Sequence, residues 1–396
     1  MSVKIPSSKP FLAGHELAYV AHAIAAGEIA SDGFFTQQCA RLLEERFAIG
    51  KVLMTPSCSA ALEMAAMLCD LRPGDEVILP SFTFVSTASA IVRLGARPVF
   101  VDIRPDTLNL DERLVAAAIT SRTKAIFAVH YGGIGCDMER LMAIAQAHGL
   151  MVVEDAAQGV NAFYRGRALG SIGHLGAYSF HYTKNYTCGE GGALCINSPA
   201  MVERAEIIRE KGTNRTRFLR GEVEKYTWVE IGSSYIPSEI ACAFLYAQLE
   251  ELEQITARRQ QVFQFYHDHL LPLAVEHRLR LPLTPEGCRS NYHLYYIILP
   301  DKTMRDALMA HLNRHGVAAV SHYVPLHSSP VGQTFGYQEG DLPVTEDLSQ
   351  RLLRLPIFPD LTQEEQLHVL DQLVRFLQQM KVAARTPELF TAGVSG

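Results

Sequence analysis

"KAIFAVHYGGIGCDMERLMAIAQAHGLMVVED", residues 124–155, reads as an apolar run, a glycine turn, a helix-period segment and a second apolar run ending in two acids. The two runs are continuously hydrophobic rather than alternating, which marks strands covered on both faces. A strand, a crossover helix and a second such strand form a parallel unit. The stretch also imitates a dinucleotide-binding turn, because Asp155 lies 20 residues after Gly135. Met138 stands where the third glycine of that fingerprint belongs, however, and Asp137 would set negative charge near a pyrophosphate. The pattern argues against an NAD-binding oxidoreductase and leaves the parallel unit standing.

Working outward, "KVLMT" from 51, "DEVILP" from 75 and "RPVFVDI" from 97 repeat the apolar run, with helical patterns at 57–70, 82–94, 111–119 and 137–148. The fold class expected is α/β, a mostly parallel sheet sandwiched by helices. After Asn197 a basic stretch leads to one long helix at about 238–270, on the spacing of Ile240, Phe244, Leu245, Leu249, Leu252 and Ile255. A smaller α/β unit follows, with a strand in "YHLYYIILP", a helix from about 303, an extended "VAAVSHYVPLH" and a last helix from about 362. The expected division is a large domain over 1–255, a small C-terminal domain over 256–380 and an unpatterned tail over 381–396.

Of the 396 residues, 48% are hydrophobic and 20% charged, a composition that can bury an extensive core. A net charge of −6 disfavours nucleic acid as a partner. The eight cysteines form no CxxC pair and no Cys/His spacing of a metal site, so reduced thiols, no metal and the cytoplasm are expected. The N-terminal "MSVKIPSSKPFLAGHELAYVAHAIAAG" breaks its apolar stretches at His15, Glu16 and His22, which argues against a signal segment or membrane span.

Ligands of such sheets bind at the carboxyl ends of the strands. Three features sit there. Ser57 or Ser59 in "TPSCSAALEMAAMLCD" can cap a helix whose free N–H groups suit a phosphate, although most capped helices bind nothing. Glu154 and Asp155 end the strand "MVVED", with Gln158 a turn beyond; an ordinary helix cap is the plainer alternative for Asp155, but a buried carboxylate needs a cation such as a protonated pyridine nitrogen. Lys184, in "SFHYTKNYTCGEGG", follows one strand and precedes a tight glycine turn into another. Most lone lysines are surface residues; one presented from a fixed edge and partly buried becomes a nucleophile toward a carbonyl. Together the three match pyridoxal 5′-phosphate, with Phe84 in "PSFTF" available to cover the ring.

"TPSCSAALEMAA", "PSFTFVSTASA", "VEDAAQG", "YSFHYTKNYTCGEGGAL" and "HYVPLH", in this order, resemble the DegT/DnrJ/StrS family of sugar-nucleotide aminotransferases, on the aspartate-aminotransferase fold (fold type I). The likeness spans roughly residues 10 to 380 by motif order. "IREKGTNR" and "IGSSYIPSEIACAFLYAQLE" most resemble members that make dTDP-4-amino-4,6-dideoxygalactose. The resemblance implies that Lys184 carries the cofactor aldehyde, Asp155 partners the pyridinium and Gln158 meets a ring oxygen. It implies phosphate contacts from Ser57, Cys58 and Ser179, and a stacking ring at Phe84. Where many members hold a partner-subunit asparagine in "GYNYR", this chain has "GSSYI", with Ser234 in that place and Ile236 for the arginine.

It further implies a homodimer with shared active sites and an L-glutamate donor. The acceptor would be dTDP-4-dehydro-6-deoxy-D-glucose, with 3-keto and UDP- or GDP-sugars as alternatives. Related sugar dehydratases carry histidine at the lysine position, so Lys184 argues for amine transfer; a non-catalytic ligand sensor on the same fold is a further alternative. Arg215 and Arg220, in a basic stretch that otherwise reads as a salt-bridged surface, are candidates for a substrate diphosphate. His322, Tyr323 and His327 are candidates for a sugar pocket, with packing the competing role.

Overall fold

The computed structural model describes residues 5–27, 29–30 and 32–385. Its centre is a sheet of seven strands: β1 Lys51–Thr55, β2 Glu76–Pro80, β3 Arg97–Val101, β4 Thr123–Val129, β5 Met151–Asp155, β6 Leu175–Ser179 and β7 Gly192–Ile196. The spatial order is β1-β7-β6-β5-β4-β2-β3. Neighbours from β6 to β3 pair in parallel, whereas β7 pairs antiparallel with both β6 and β1. The one reversed strand follows from the short return through residues 180–191, too brief for a crossover helix. β2, β4, β5 and β6 are buried along their whole length or nearly so, as continuous apolar runs require.

Two apolar layers cover the faces. One joins Val52, Ile126, Val152 and Tyr178 to the helices Phe34–Phe47, Met138–His148 and Glu239–Glu250. The other joins Val77, Phe127, Val153 and Leu194 to the helices Cys58–Leu68, Val85–Val92 and Val202–Arg209. The N-terminal helix Glu16–Ala25 is tied down by a buried carboxylate: Glu16 accepts from the backbone of Ala13 and Gly14 at 2.5 and 2.8 Å and from Gln248 Nε2 at 2.5 Å. No helix among the described residues is long and apolar enough to cross a membrane.

The segment expected as one helix over about 238–270 is two, Glu239–Glu250 and Leu252–Glu276. At Glu251 the backbone moves to φ −103°, ψ 22° and its N–H reaches back only three residues, to Gln248, so the turn tightens and the axis changes. Ile240, expected on the buried stripe, is instead exposed.

A second ladder pairs β8 Tyr295–Ile298 antiparallel with β9 Leu352–Leu355. The helices Lys302–Arg314 and Gln363–Arg385 and the C-terminal part of Leu252–Glu276 pack around it through Val262, Tyr266, Leu308, Leu353 and Leu373. "VAAVSHYVPLH" forms no strand and touches β9 through a single bridge, Val320 to Arg354. Of the tail expected over 381–396, residues up to Arg385 continue the last helix, and 386–396 lie outside the described residues. A further apolar group joins Phe82 and Tyr131 of the sheet loops to Tyr296 and Leu352, so the second ladder packs against the carboxyl edge of the first.

Candidate active site

β1, β2, β4, β5 and β6 all point their carboxyl ends to one edge, and the site assembles there. Successive side chains of β5 face opposite ways. Glu154 is fully buried on one face, where it accepts from the backbone of Gly170, Ile172 and Gly173 at 2.8, 2.6 and 2.6 Å. It also meets His130 Nε2 at 2.8 Å, and since His130 Nδ1 accepts from Cys136 N–H, Nε2 carries the ring proton. Glu154 is therefore a structural clasp.

Asp155 emerges on the other face. Its Oδ1 accepts from Ala157 N–H at 3.1 Å and its Oδ2 from the Thr87 hydroxyl at 2.6 Å. Thr87 in turn lies 2.9 Å from the hydroxyl of Thr83, and both threonines are buried. Thr87 has one proton, which Asp155 takes, so the Thr83 hydroxyl donates along the chain. Both threonines lie in "PSFTFVSTASA", but neither has a role there on sequence grounds, because each reads as ordinary helix-start chemistry until β5 is placed beside it.

Phe84 sits one turn before Thr87, at the N-cap of Val85–Val92, and the residue is 58% exposed. Ser57 caps Cys58–Leu68 by accepting from Ala60 N–H at 3.1 Å, and Ser59 reaches Ser86 at 2.6 Å, joining the two helix starts. Gly192 lies against that helix start; a Cβ there would come within 2.4–2.6 Å of backbone atoms of Ser57 and Cys58.

Lys184 and Ser179 line one small cavity, about 10 Å³, with Gln158, Asn185, Tyr186, Asn291 and His293. The Lys184 ammonium makes no ion pair among the described residues. Burial, joined by the Arg354 cation, lowers its pKa against the opposing pull of Cys58 and Asp155. Gln158 is in a turn rather than a helix. Its Oε1 accepts from Gly132 N–H at 2.6 Å and its amide donates to the Tyr323 hydroxyl at 2.9 Å, leaving one N–H.

His322 stacks on Tyr323 with ring centroids 4.1 Å apart. Its pKa is pushed down to about 2, by burial first and then by Arg354 and Lys184. Arg354 donates to Nε2, which fixes the proton on Nδ1, 3.2 Å from the Tyr131 hydroxyl. Arg354 and Tyr131 escaped sequence reading because each sits in an apolar run and meets His322 only through the fold, from 32 residues away for Arg354 and 191 for Tyr131.

Four candidates stand apart. His327 is fully buried with Nδ1 on Ser81 at 2.7 Å and Nε2 on Glu346 at 2.8 Å, so it has no ring atom for a sugar and serves packing. Arg215 and Arg220 are paired with Glu210 and Glu206 at 3.2 and 2.6 Å, on a half-exposed surface. Ser234 is bridged through its backbone to Glu210. Within one chain none of these three touches Lys184 or its neighbours.

The residues fit a planar ring bearing a phosphate. Lys184, Arg354 and the buried Arg259, whose guanidinium is held by the carbonyls of Tyr292 and His293, all act on His293, and Asp155 is the one carboxylate that opposes the Lys184 charge. An anion is needed to balance them, and the start of Cys58–Leu68 offers N–H groups for it. A larger concavity between Met138–His148 and residues 164–174 lies by Met151, at the opposite end of β5 from Asp155, and does not reach these groups. No grouping of metal-binding side chains occurs among the described residues.

The model of the DegT/DnrJ/EryC1/StrS aminotransferase family matches residues 11–374. The chain is 38% identical over 320 residues to a pleiotropic regulatory protein of Geobacillus stearothermophilus, covering 80% of this chain and 82% of that one. It is 32% identical over 369 residues to the spore coat polysaccharide biosynthesis protein SpsC of Bacillus subtilis, covering 91% and 94%. Among solved structures, the aminotransferase TlmJ of Streptoalloteichus hindustanus superposes with TM-score 0.87 at 31% identity, covering 95% and 100%. A sugar aminotransferase of Streptococcus pneumoniae in its PLP form superposes with TM-score 0.87 at 26% identity, covering 95% and 99%.

Proposed function

The chain belongs to the DegT/DnrJ/EryC1/StrS aminotransferase family, and from that premise we propose that it moves an amino group from L-glutamate to a 4-keto-6-deoxy sugar nucleotide. The product on this reading is a 4-amino-4,6-dideoxy sugar nucleotide, with dTDP-4-amino-4,6-dideoxy-D-galactose the specific assignment. The enzyme is a pyridoxal 5′-phosphate-dependent aminotransferase. That cofactor, when bound, supplies an aldehyde for the amine and a ring that takes up the electron pair of a broken C–H bond.

The carrying observation is that Lys184, half-buried and in no ion pair among the described residues, lies at the same strand edge as Asp155, close enough for the carboxylate to act on its charge. In the proposal Lys184 binds the cofactor carbonyl, and Asp155, aimed by Thr87, holds the proton on the ring nitrogen. Released by the donor amine, Lys184 moves the proton from the donor Cα. Its lowered pKa leaves the free amine in useful amount near neutrality. Ser57, Cys58 and Ser179 hold the phosphate, Gln158 orients the ring with its remaining N–H, and Phe84 covers one ring face. One amino acid and one keto sugar thus become one 2-oxo acid and one amino sugar.

The reading includes a homodimer in which Ser234 completes the neighbouring site, and a cytoplasmic setting that keeps the eight free thiols reduced. The likeness to the spore coat polysaccharide protein supports a product destined for a surface polysaccharide. Borohydride reduction of the loaded enzyme followed by peptide mass mapping should place the cofactor label on Lys184, and Lys184→Ala should abolish both label and turnover. Turnover that survives Lys184→Ala ends the proposal. The likeness to a regulatory protein favours ligand sensing as a second reading. A panel of 4-keto and 3-keto sugar nucleotides incubated with L-glutamate separates the two, since a sensor would release no 2-oxoglutarate.

A further inference from the structure

His293 has a lone pair to spare beside Lys184. Its Nδ1 lies 2.9 Å from Asn185 Oδ1, and the Asn185 amide donates to the Asn291 carbonyl at 2.8 Å. That second bond fixes the amide: Oδ1 is the acceptor, so the imidazole carries its proton on Nδ1 and a lone pair on Nε2. The hydrogen bonds of His293 among the described residues run through its backbone and Nδ1, none through Nε2. The ring is buried and its pKa lies well below the ordinary 6.5, through burial first and then the charges of Lys184, Arg259 and Arg354 and the nearby His322. At neutral pH it is uncharged.

The imidazole is held from three sides. Arg259, on the helix Leu252–Glu276, donates from Nε to the Tyr292 carbonyl and from Nη2 to the His293 carbonyl, at 3.0 and 2.6 Å. Asn291 donates to the carbonyls of Gln158 and Val160, both at 2.8 Å, and its Oδ1 accepts from His293 N–H at 3.1 Å. Gly133 closes on that amide, where a Cβ would collide with Asn291 Oδ1. The third tie is Asn185, the residue after Lys184. Between these ties Tyr292 adopts a left-handed φ of 54°, which a tyrosine avoids unless its surroundings impose it. Lys184 and His293 then line one cavity of about 10 Å³, room for a single water.

We infer that His293 is a positioning residue for Lys184: its Nε2 accepts a hydrogen bond from the lysine ammonium, directly or through one water, whenever that amine is free of the cofactor carbonyl. The inference rests on the aminotransferase reading above and deepens it, since that reading asks of Lys184 only that it move a proton. An amine that has just taken the donor Cα proton is an ammonium with three N–H bonds and no carboxylate paired to it among the described residues. An acid at the place of His293 would hold that proton too firmly. A neutral acceptor steadies the side chain and still lets the proton go. Lys184 gains one proton from the donor Cα and gives one to the cofactor, while His293 keeps its own on Nδ1, shared with Asn185. The role follows from the tautomer, so a side chain that imitates Nδ1 alone cannot fill it.

Two substitutions separate the nitrogens. His293→Asn keeps a donor at the place of Nδ1 and has nothing at Nε2, whereas His293→Gln reaches the place of Nε2 with an amide oxygen. In the cofactor-free chain, the pH dependence of Lys184 acetylation by acetic anhydride, read by peptide mass mapping, gives the pKa of that amine. His293→Asn should lower it by about one to two pH units, and His293→Gln by clearly less. In holoenzyme, the single-turnover rate with L-glutamate should fall at least about tenfold for His293→Asn, with a larger isotope effect for 2-deutero-L-glutamate. The Kd for L-glutamate should stay within about twofold, and His293→Gln should recover most of the rate. His293→Phe, which keeps a buried ring, takes the place of His293→Asn if that variant melts early, with the same expected results. Equal losses of rate and of glutamate affinity in both variants overturn the inference and leave the imidazole a packing residue. An unchanged Lys184 pKa in an enzyme that turns over also overturns this inference alone. A pKa that falls as expected while wild-type holoenzyme responds to no amino acid overturns the aminotransferase reading and upholds the contact.

Discussion

At the residue scale, the Thr83–Thr87–Asp155 chain decides how the carboxylate meets a ring nitrogen. Thr87→Val keeps the shape and removes one hydrogen bond to a charged group, worth about 1.5–3 kcal/mol. Cofactor affinity should fall by about one to two powers of ten with little change in melting temperature, measured by titration of the apo enzyme; unchanged affinity would mean that Ala157 N–H alone positions Asp155. His322 carries a second consequence. Its pKa is about 2 in the fold against an ordinary 6.5, so the unfolded chain takes up a proton that the folded chain refuses. The folded state is therefore favoured above pH 6.5 and loses stability as the pH falls from there toward 2. Denaturant unfolding of His322→Phe should show a shallower decline between pH 6.5 and about 4 than wild type; an identical slope would place the proton uptake elsewhere. Asp155 and Lys184 could be picked out in the sequence because each ends or follows an apolar run with unmistakable edges. Thr87 and Arg354 could not, since their meaning lies in neighbours supplied by β5 and by the 320–323 segment.

At the element scale, the packing of β7 against the start of Cys58–Leu68 is the tightest constraint on the proposed phosphate site. Gly192 pairs with Ser179 at the end of β6 and with Thr55 at the end of β1, so it sits where three strand ends meet the helix. Gly192→Ala would force the new Cβ to within 2.4–2.6 Å of the Ser57 and Cys58 backbone, and neither element can yield cheaply. The expected result is destabilisation of about 1–3 kcal/mol, with weaker phosphate binding by the apo enzyme; calorimetry and phosphate titration check the two parts separately. The strands were legible because burial on both faces keeps their centres apolar, with polar residues such as Lys124, Glu154, Asp155 and Ser179 falling near the strand ends. The break at Glu251 was not, because leucines at 245, 249 and 252 keep helical spacing straight through it. Periodicity records which side chains are buried and is blind to a change of axis between two buried turns. The reversed direction of β7 was foreshadowed only by the shortness of the glycine turn before it.

At the scale of the whole molecule, the surface around residues 213–234 is unlike that of a protein that works alone. Leu219, Trp228 and Ile231 are exposed there, Trp228 and Ile231 to 74% each, close to Ser234 in sequence. Apolar groups held in water at this density mark an interface, and the family resemblance points to a second copy as the occupant. The shared-site proposal then makes a quantitative forecast. Lys184→Ala and Ser234→Asp should each impair the pure dimer, the first by removing the amine and the second by opposing an anionic ligand. In a mixed dimer, the protomer that keeps Lys184 receives the intact Ser234 from its partner, so one of the two sites is whole. Random reassociation makes half of the dimers mixed, and activity should recover to about a quarter of wild type. A mixture no more active than its parents would mean that each site draws on one chain only, and Ser234 would then be a residue of the 210–234 turn and nothing more.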